Sequence, residues 1–530
     1  MFLIMSAAYV SQELESEFGT IPPAFLPLGN RRLFQHQVAS APEGKKIYLS
    51  LPESYQLETY DEAWLSEHGV ALLRIPDGLS LGASLVSALT LADYDHKSSL
   101  SILFGDTLFS ELPGGEDIIT ISQVENSYDW AIVTNDNSHW LDTPQHRHLL
   151  DQNNVVCGYF KFSQPQRLLK ALTMAHWDFI QSLNYYHEEC GLNSVHVSNW
   201  LDFGHLNTYY TSKAKFTTQR AFNHLEITPK WIRKSSTKNL KIAAEAHWFE
   251  QVPPILRTYL PQFLGTQTQN GTVSYQLEYL HHTALNELFV FSTLPELVWK
   301  QILSSCLDFI DACQQHTPAT DNHQPIQSLE VLFGEKTRQR LTEYCQSVGC
   351  EMATPWTFND NLSASFADLL AASEQYLPTA SLPPSVMHGD YCFSNILYDF
   401  RSDKIKTIDP RGMDVHGDFT VYGDVRYDLA KLSHSVLGLY DWIIAGYYEV
   451  SVVQRAITFR LDIPKHIKSI QQLFITLMKE KYQLSDKALY AMQIQLFLSM
   501  LPLHADDLRR QQALMANAFR LYQLIQDAEV

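Results

Sequence analysis

Three side chains that carry oxygen ligands stand close together in the C-terminal part of the sequence. Asp390 and Asn395 lie in the stretch Val386–Asp399, in a polar loop between two apolar runs, and Asp409 follows the next strand-like run, Lys404–Ile408. In such a set one carboxylate can orient a hydroxyl group and accept its proton, while an amide oxygen and a second carboxylate hold Mg²⁺ on nucleotide phosphates. The sequence therefore predicts phosphoryl transfer, with Asp390 as the base and with Asn395 and Asp409 as metal ligands.

The spacing of this loop, His-x-Asp-x-x-x-x-Asn, matches the catalytic loop of protein kinases, in which a later aspartate also binds metal. The form His-Gly-Asp, followed by Ile-Asp-Pro in place of the kinase Asp-Phe-Gly, resembles the aminoglycoside phosphotransferase and choline kinase family. The resemblance implies an α+β, bilobal, protein-kinase-like fold and an ATP-dependent small-molecule kinase. The alternative is that His-Gly-Asp forms a plain strand-to-loop turn and has no catalytic function.

Two residues earlier in the chain fit the nucleotide-binding part of that fold. Alternation in the strand-like run Lys230–Ser235 places Lys234 on one face, and a helix is expected at Asn239–Glu250. By resemblance to the family, Lys234 reaches the α- and β-phosphates and Glu245 pairs with it. Glu250 is the rival for this pairing, and a solvated basic strand is the alternative for Lys234.

The run Thr272–Leu280 is a strand that ends at a short linker. In kinase-like folds this linker is the hinge where backbone groups bond the adenine edge, so Glu278 and Leu280 are the candidates for nucleotide binding. Any strand at the edge of a sheet would show the same sequence pattern as this hinge candidate. Residues 295–380 are expected to be helical, as are the segments that complete the C-terminal lobe: Tyr440–Val450, His466–Glu480, Asp486–Met500 and Asp507–Ile525.

The first 212 residues alternate short apolar runs with helix-like segments, which predicts an α/β fold with a mostly parallel sheet. Strands are expected at Phe2–Met5, Lys46–Ser50, Ala71–Ile75, Leu100–Phe104, Asp117–Ile121, Trp130–Thr134 and Val155–Phe162. Helices are expected at Leu33–Ala39, Thr59–His68, Ala83–Leu91, Gln166–Met174 and Trp177–Cys190. Ligands of such Rossmann-like sheets bind at the carboxyl ends of strands.

Several motifs in this part, in their order, resemble the sugar-phosphate nucleotidyltransferase family. They include Gly82-Ala-Ser-Leu, Gly105-Asp106-Thr, Gly158-Tyr-Phe-Lys-Phe and Trp200-x-Asp-x-Gly. The resemblance implies that Asp106 and Asp202 hold the metal that bridges the phosphates of a nucleoside triphosphate and that Gly82 lies near the base. Ordinary polar residues at strand ends are the alternative.

The sequence departs from that family where the triphosphate would bind. The family's glycine-rich loop with its arginine is replaced by Ala7–Gly19, which has one glycine, three glutamates and no arginine or lysine. The family's Pro-Lys is Pro-Ala at Ala24, and Arg31 and Arg32 are the nearest substitutes for the missing cation. Carboxylates repel a triphosphate unless a metal intervenes, so a domain that kept the fold and lost the chemistry is an equal alternative.

Length and composition bound the remaining possibilities. The 530 residues are expected to form a nucleotidyltransferase-like domain at 1–212 and a kinase-like domain at 213–530, with lobes at 213–282 and 283–530. The net charge of −19 argues against nucleic acid and anionic membranes as partners. The seven cysteines are scattered without a C-x-x-C pair, which indicates reduced thiols, no zinc and a cytoplasmic protein. No apolar run reaches the roughly 18 residues of a membrane helix.

The expected function is phosphorylation of a hydroxyl group on a sugar, polyol or amino alcohol, with ATP as substrate and Mg²⁺ as cofactor. Resemblance further implies a bifunctional protein that joins CTP or another NTP to the phosphorylated product, giving an activated precursor for surface or capsule polysaccharide. The alternatives are a kinase with an inactive N-terminal domain and a non-enzymatic pseudokinase scaffold. The partners are thus a nucleotide and a small hydroxyl acceptor, and homo-oligomerisation is left open.

Overall fold

The computed structural model describes residues 1–95, 97–123, 131–133, 140–142, 154–220, 225–318 and 329–527. The chain forms two compact units: Met1–Thr217 with Phe291–Thr293, and Thr218–Val290 with Leu294–Val530. The domain boundary proposed at residues 212 and 213 falls within the helix Leu206–Arg220.

A mostly parallel β-sheet forms the centre of the N-terminal unit. The strands of this unit are β1 (Phe2–Met5), β2 (Ile47–Pro52), β3 (Val70–Ile75), β4 (Leu100–Phe104), β5 (Thr107–Phe109), β6 (Ile118–Gln123), β7 (Ile132–Val133), β8 (Leu141–Asp142), β9 (Asn154–Phe162), β10 (Asn193–His196) and β11 (Trp200–Asp202). The main path of the sheet is β10-β6-β9-β4-β1-β2-β3, and β9 runs antiparallel to both its neighbours. Because β1 is apolar throughout, it is buried as an interior strand between β4 and β2. The predicted α/β fold is confirmed.

The helices of this unit include two that the sequence analysis did not predict. The helices of the N-terminal unit are α1 (Gln12–Phe18), α2 (Leu33–Ala39), α3 (Thr59–Glu67), α4 (Leu81–Leu91), α5 (Pro165–Met174), α6 (Phe179–Cys190) and α7 (Leu206–Arg220). The unexpected helices are α1, in the region compared with a glycine-rich loop, and α7, in the presumed passage between domains. Of the strand expected at Trp130–Thr134, both end residues lie outside the described residues.

The C-terminal unit begins with a small antiparallel sheet. Its strands are β12 (Leu225–Ile227), β13 (Trp231–Ser235), β14 (Phe263–Gln269) and β15 (Thr272–Glu278), in the order β12-β13-β15-β14. The helix α8 (Asn239–Gln251) packs on this sheet through Phe249, whose ring lies 5.8 Å from the rings of both Phe263 and Tyr275. Residues 221–224, which precede β12, lie outside the described residues.

The larger lobe is mainly helical. Its helices are α9 (Leu285–Phe291), α10 (Glu296–Gln314), α11 (Leu329–Val348), α12 (Phe366–Tyr376), α13 (Arg426–Val436), α14 (Tyr440–Ile444), α15 (Lys465–Tyr482), α16 (Asp486–Met500) and α17 (Leu508–Asp527). Its strands are β16 (Thr283–Ala284), β17 (Trp356–Phe358), β18 (Leu362–Ala364), β19 (Ser385–Val386), β20 (Ile396–Asp399), β21 (Lys404–Thr407), β22 (Tyr422–Gly423), β23 (Glu449–Val453) and β24 (Ala456–Arg460). Together with the small sheet, this lobe gives the predicted bilobal α+β arrangement. Among the described helices, none has the length and apolar character needed to cross a bilayer.

Four strands of this lobe correct the helical expectation. Residues 295–380 include β17 and β18, and the helix expected at Tyr440–Val450 ends at Ile444. Gly446 follows with φ +83°, a left-handed conformation that does not continue a helix. The next residues alternate in burial along β23 and β24, which is the pattern of a strand with one buried face.

A buried ion pair stabilises the N-terminal unit. The Nε atom of Arg32 lies 3.1 Å from Oδ2 of Asp61, and the two side chains are 3% and 0% exposed. The Arg32 guanidinium also donates to the carbonyl of Phe25 at 3.0 Å. Because its charge is already compensated inside the protein, Arg32 is a poor substitute for the missing phosphate-binding cation.

The substitution Asp61→Asn should lower the free energy of unfolding by about 3–5 kcal/mol, since it leaves the Arg32 charge buried without its partner. The measurement is denaturant unfolding followed by circular dichroism. The control is Asp93→Asn, which removes the exposed partner of Lys46 and should change stability by about 0–1 kcal/mol. Equal effects of the two substitutions would contradict the assignment.

Candidate active site

The strands β20 and β21 form a hairpin that brings the three predicted oxygen ligands together. Ile408 donates its amide to the carbonyl of Asn395 at 3.0 Å, so Asp409 lies directly beside the start of β20. The side-chain nitrogen of Asn395 donates to the Asp390 carbonyl at 2.9 Å and to its Oδ2 at 3.1 Å. These bonds use the amide nitrogen of Asn395, so the amide oxygen is the atom that could ligate a cation.

Lys234 connects the small lobe to this group. Its Nζ lies 2.9 Å from Oε2 of Glu245 and 2.9 Å from Oδ1 of Asp409. Burial alone would lower the pKa of Lys234, but the carboxylates of Asp409 and Glu245 outweigh it and raise the pKa, which keeps the ammonium charged. Glu245 is 1% exposed and also accepts from the Tyr275 hydroxyl at 2.7 Å. The rival Glu250 is exposed and accepts from Thr266 instead.

Helix α8 lies against the loop that follows Asp409. A Cβ atom built on Gly412 would lie 2.0 Å from the carbonyl oxygen of Ala244, and Gly412 has φ +65°. On the same helix, the indole nitrogen of Trp248 donates to the carbonyl of Met387 at 2.9 Å. The position of Glu245, and with it that of Lys234, therefore depends on close backbone packing between α8 and the loop.

The residues Asn395 and Asp409 fit a hard cation shared with phosphate oxygens. Mg²⁺ prefers one or two protein oxygens with substrate phosphates and water as its other ligands. The Lys234 ammonium already lies against Oδ1 of Asp409, which shows that this carboxylate is oriented toward positive charge. Asp409 has φ +58°, a strained conformation for a residue with a side chain and one that is concentrated at functional sites.

Two cations near Asp390, Lys431 and Arg411, were not assigned by the sequence analysis. Lys431, on α13, places its Nζ 2.9 Å from Oδ1 of Asp390. Arg411 places its guanidinium carbon 4.6 Å from the centre of the Tyr427 ring. Partial burial opposes ionisation of Asp390, but the charges of Lys431 and Arg411 hold its pKa well below the usual range, so it is an ionised acceptor. No local motif marks Lys431, because it is 41 residues from Asp390.

The loop backbone is supported by Asp428 and His388. Asp428 accepts the amides of His388 and Gly389, both at 2.7 Å, which gives it a structural role in the loop. The ring nitrogen Nδ1 of His388 accepts the amide of Asp390 at 3.3 Å. Burial lowers the pKa of His388 to about 4, so its ring is neutral and holds the loop.

The hinge candidates lie at the end of β15. Tyr279 donates its amide to Lys230, and Glu278 exchanges bonds with Gln262 through its own amide and its carboxylate. Leu280 donates its amide to no residue that the structure describes, so that amide is open to a nucleotide base. The sequence has no glycine between Gly204 and Gly265, so a glycine-rich loop does not precede the Lys234 strand.

In the N-terminal unit the two predicted metal ligands also converge. A Cβ atom on Gly204 would lie 2.8 Å from Oδ2 of Asp106 and 3.5 Å from Oδ1 of Asp202. Burial and the charge of Asp106 raise the pKa of Asp202 to about 7. The Oδ2 atom of Asp202 is buried and has no hydrogen-bond partner within the described residues. Two facing carboxylates with an unsatisfied buried oxygen fit a divalent cation.

The surroundings of this carboxylate pair lack the cations that a triphosphate needs. The region compared with a glycine-rich loop forms α1, with Glu13 and Glu15 in its first turn. Gly82 is buried against the residues that precede α6. A Cβ atom at Gly82 would lie 2.2 Å from the Trp177 carbonyl oxygen. Close packing therefore accounts for a glycine at position 82, and its contact with a base stays a prediction.

Comparison with known proteins bears on the two parts of the chain separately. Residues 233–446 match the family model described as "Phosphotransferase enzyme family", a range that holds Lys234, Glu245, Asp390, Asn395 and Asp409. This match confirms the predicted resemblance for the C-terminal part. No curated protein matches the chain.

Solved structures similar to the chain include relatives of both kinds. An aminoglycoside phosphotransferase from Streptomyces rimosus, in complex with ADP and streptomycin, is 15% identical, covers 53% of this chain and 95% of its own, and has a TM-score of 0.30. A macrolide 2'-phosphotransferase from Brachybacterium faecium is 13% identical and covers 54% and 84%, with a TM-score of 0.30. The inositol-1-phosphate CTP transferase from T. maritima is 12% identical and covers 42% and 97%, with a TM-score of 0.32.

The substitution Gly412→Ala should displace α8 and weaken binding of Mg–ATP by at least about tenfold, because the new methyl group meets the Ala244 carbonyl. Binding is measured by calorimetry. The matched control is Gly417→Ala in the same loop, where φ is +90° but no atom lies within 4 Å of the added Cβ. Both variants carry the cost of a left-handed alanine, about 1–2 kcal/mol. Nucleotide binding as weak in the control as in Gly412→Ala would contradict the steric explanation.

Proposed function

We propose that the C-terminal unit is an ATP-dependent kinase that phosphorylates a hydroxyl group on a small polar molecule. The observation that carries this proposal is the convergence of Lys234, Asp409, Asn395 and Asp390 through contacts of 2.9–3.1 Å. The nucleotide-binding cation, the oxygen ligands for Mg²⁺ and an ionised base thus follow one another in the order that phosphoryl transfer requires.

In this proposal Asp390 orients the acceptor hydroxyl group and takes its proton. The acceptor oxygen bonds to the γ-phosphorus while the bond from that phosphorus to the bridging oxygen of the nucleotide breaks, and ADP leaves. Lys234 binds the α- and β-phosphates and is held in place by Glu245. Mg²⁺, held by Asn395 and Asp409, would neutralise the charge that develops on the phosphates. Positioning and electrostatic stabilisation then supply most of the acceleration.

The substitution Asp390→Asn should reduce kcat by about 10²–10⁴-fold, because an amide cannot accept the proton. The affinity for Mg–ATP should be retained, since Lys234 and Asp409 are unchanged. The measurement is ADP formation in a screen of alcohols, sugars and amino alcohols, with the mass of the product determined.

The control for this substitution is Asp418→Asn, which changes an exposed carboxylate of the same unit. It should retain the wild-type rate. A fully active Asp390→Asn enzyme would contradict the assignment of the base, and failure of the wild-type protein to bind Mg–ATP would contradict the kinase and favour a scaffold.

A second candidate function is nucleotidyl transfer by the N-terminal unit, which the paired carboxylates of Asp106 and Asp202 favour. There CTP or another NTP would react with the phosphorylated product of the kinase and release pyrophosphate. The absence of a phosphate-binding cation in residues 7–19 argues against it, since the metal would have to supply nearly all the positive charge.

Pyrophosphate release from a set of NTPs, supplied with the kinase product, tests this second function. If the unit is active, Asp106→Asn should abolish release, because the metal loses a ligand, and should leave ADP formation by the C-terminal unit unchanged. No pyrophosphate from the wild-type protein with any NTP would identify the N-terminal unit as one that kept the fold without the chemistry.

A further inference from the structure

Three cations surround Tyr427 on one side of the candidate base. Lys336 is on α11, Arg411 follows Asp409, and Lys431 is on α13; these three residues are called the basic cluster below. The ring of Phe333, one turn before Lys336 on α11, packs 5.2 Å from the ring of Tyr427. Arg411 lies over the same tyrosine ring at 4.6 Å. The cluster is therefore built on elements that pack against each other.

The positive charge of the cluster is only partly compensated within the described residues. Lys431 is paired with Asp390, but Lys336 has no carboxylate partner in that part of the chain. The other nearby carboxylate, Asp428, is already engaged by two backbone amides. Burial is the main cause that lowers the pKa of Lys336 to about 8, and the charges of Arg411, Arg340 and Lys431 contribute to that value. Partly buried cations without anions are costly, so such a group is expected to have an anionic ligand.

The two oxygens of the Asp390 carboxylate face different groups, one on the side of the proposed nucleotide site and one on the side of the basic cluster. Oδ2 accepts from Asn395, the predicted metal ligand, whereas Oδ1 faces Lys431. Lys234, which is proposed to bind the phosphates of ATP, contacts Asp409 on the first side. Since the acceptor hydroxyl must reach the same carboxylate, the second side is the one left for the acceptor.

We propose that the acceptor carries an anionic group, a phosphate or a carboxylate, close to the hydroxyl group that is phosphorylated, and that the basic cluster binds this group. The inference rests on the proposed kinase function and narrows its substrate class. A cationic amino alcohol or aminoglycoside would meet the positive charges of Lys336 and Arg411 at this place. The reaction itself is unchanged: the hydroxyl proton goes to Asp390, and the γ-phosphoryl group of ATP moves to the hydroxyl oxygen.

Binding of inorganic phosphate tests the anion site directly. Calorimetry is carried out on the full chain with its nucleotide site filled by the Mg²⁺ complex of a non-hydrolysable ATP analogue. The wild-type protein should bind phosphate, and Lys336→Gln should weaken this binding by about tenfold because a charge-assisted contact is lost. Arg338→Gln is the matched control on the same helix: it removes an exposed cation paired with Glu374 and should bind phosphate like the wild type.

The melting temperature separates this role from a structural one. Without phosphate, Lys336→Gln should melt at or above the wild-type temperature, because it removes an uncompensated charge. A lower melting temperature, or phosphate binding that is absent or insensitive to Lys336→Gln, would overturn the proposal.

The acceptor screen distinguishes this inference from the kinase proposal. Glycerol 3-phosphate and glycerate are compared with glycerol and with choline, so phosphate and carboxylate are tested separately against neutral and cationic alcohols. Preferred phosphorylation of the neutral or cationic alcohols would overturn the anionic acceptor and leave the kinase in place. Phosphate binding that depends on Lys336, in a protein that does not bind Mg–ATP, would support the anion site and contradict the kinase.

Discussion

The carboxylate of Asp390 is the constraint on which the candidate site depends. Its two oxygens are fixed in different directions, one by the Asn395 amide and one by the Lys431 ammonium. A carboxylate held at both ends loses little further freedom when a substrate arrives, and that preorganisation is the main source of catalysis in phosphoryl transfer. In the proposed kinase the same geometry divides the site into a nucleotide side and an acceptor side.

The nucleotide side is assembled by tertiary packing and not by one segment. Lys234 comes from β13, Glu245 from α8 and Asp409 from the end of β21, and they meet only because α8 lies close against the loop at Gly412. A glycine at 412 is therefore part of the site although it has no side chain. Any change that moves α8 also moves Glu245, and the Lys234 ammonium then loses one of its two carboxylate partners.

Sequence reasoning found what local patterns encode and missed what long-range packing creates. Asp390, Asn395 and Asp409 lie within 20 residues of each other, and Lys234 was selected by alternation along one strand together with the resemblance to the family. Lys336 and Lys431 sit on helices whose periodicity looks ordinary, and their meeting at Tyr427 depends on tertiary packing. The fold shows the same division. The strong apolar run of β1 was predicted with its bounds, whereas the helix predicted at Tyr440–Val450 was extended past Gly446 into the first two residues of β23.

The local charge, and not the net charge, decides what each unit can bind. The chain carries a formal charge of −19, yet the C-terminal site gathers four cations, Lys234, Lys336, Arg411 and Lys431, near the proposed base Asp390 and the proposed metal ligand Asp409. The N-terminal unit is the reverse case, since Asp106 and Asp202 face each other while Arg32 is consumed by Asp61. In the proposed function an anionic substrate would be attracted by these cations in the first site, but in the second it would depend on a metal for nearly all its attraction. This asymmetry makes phosphoryl transfer the better-supported chemistry of the chain.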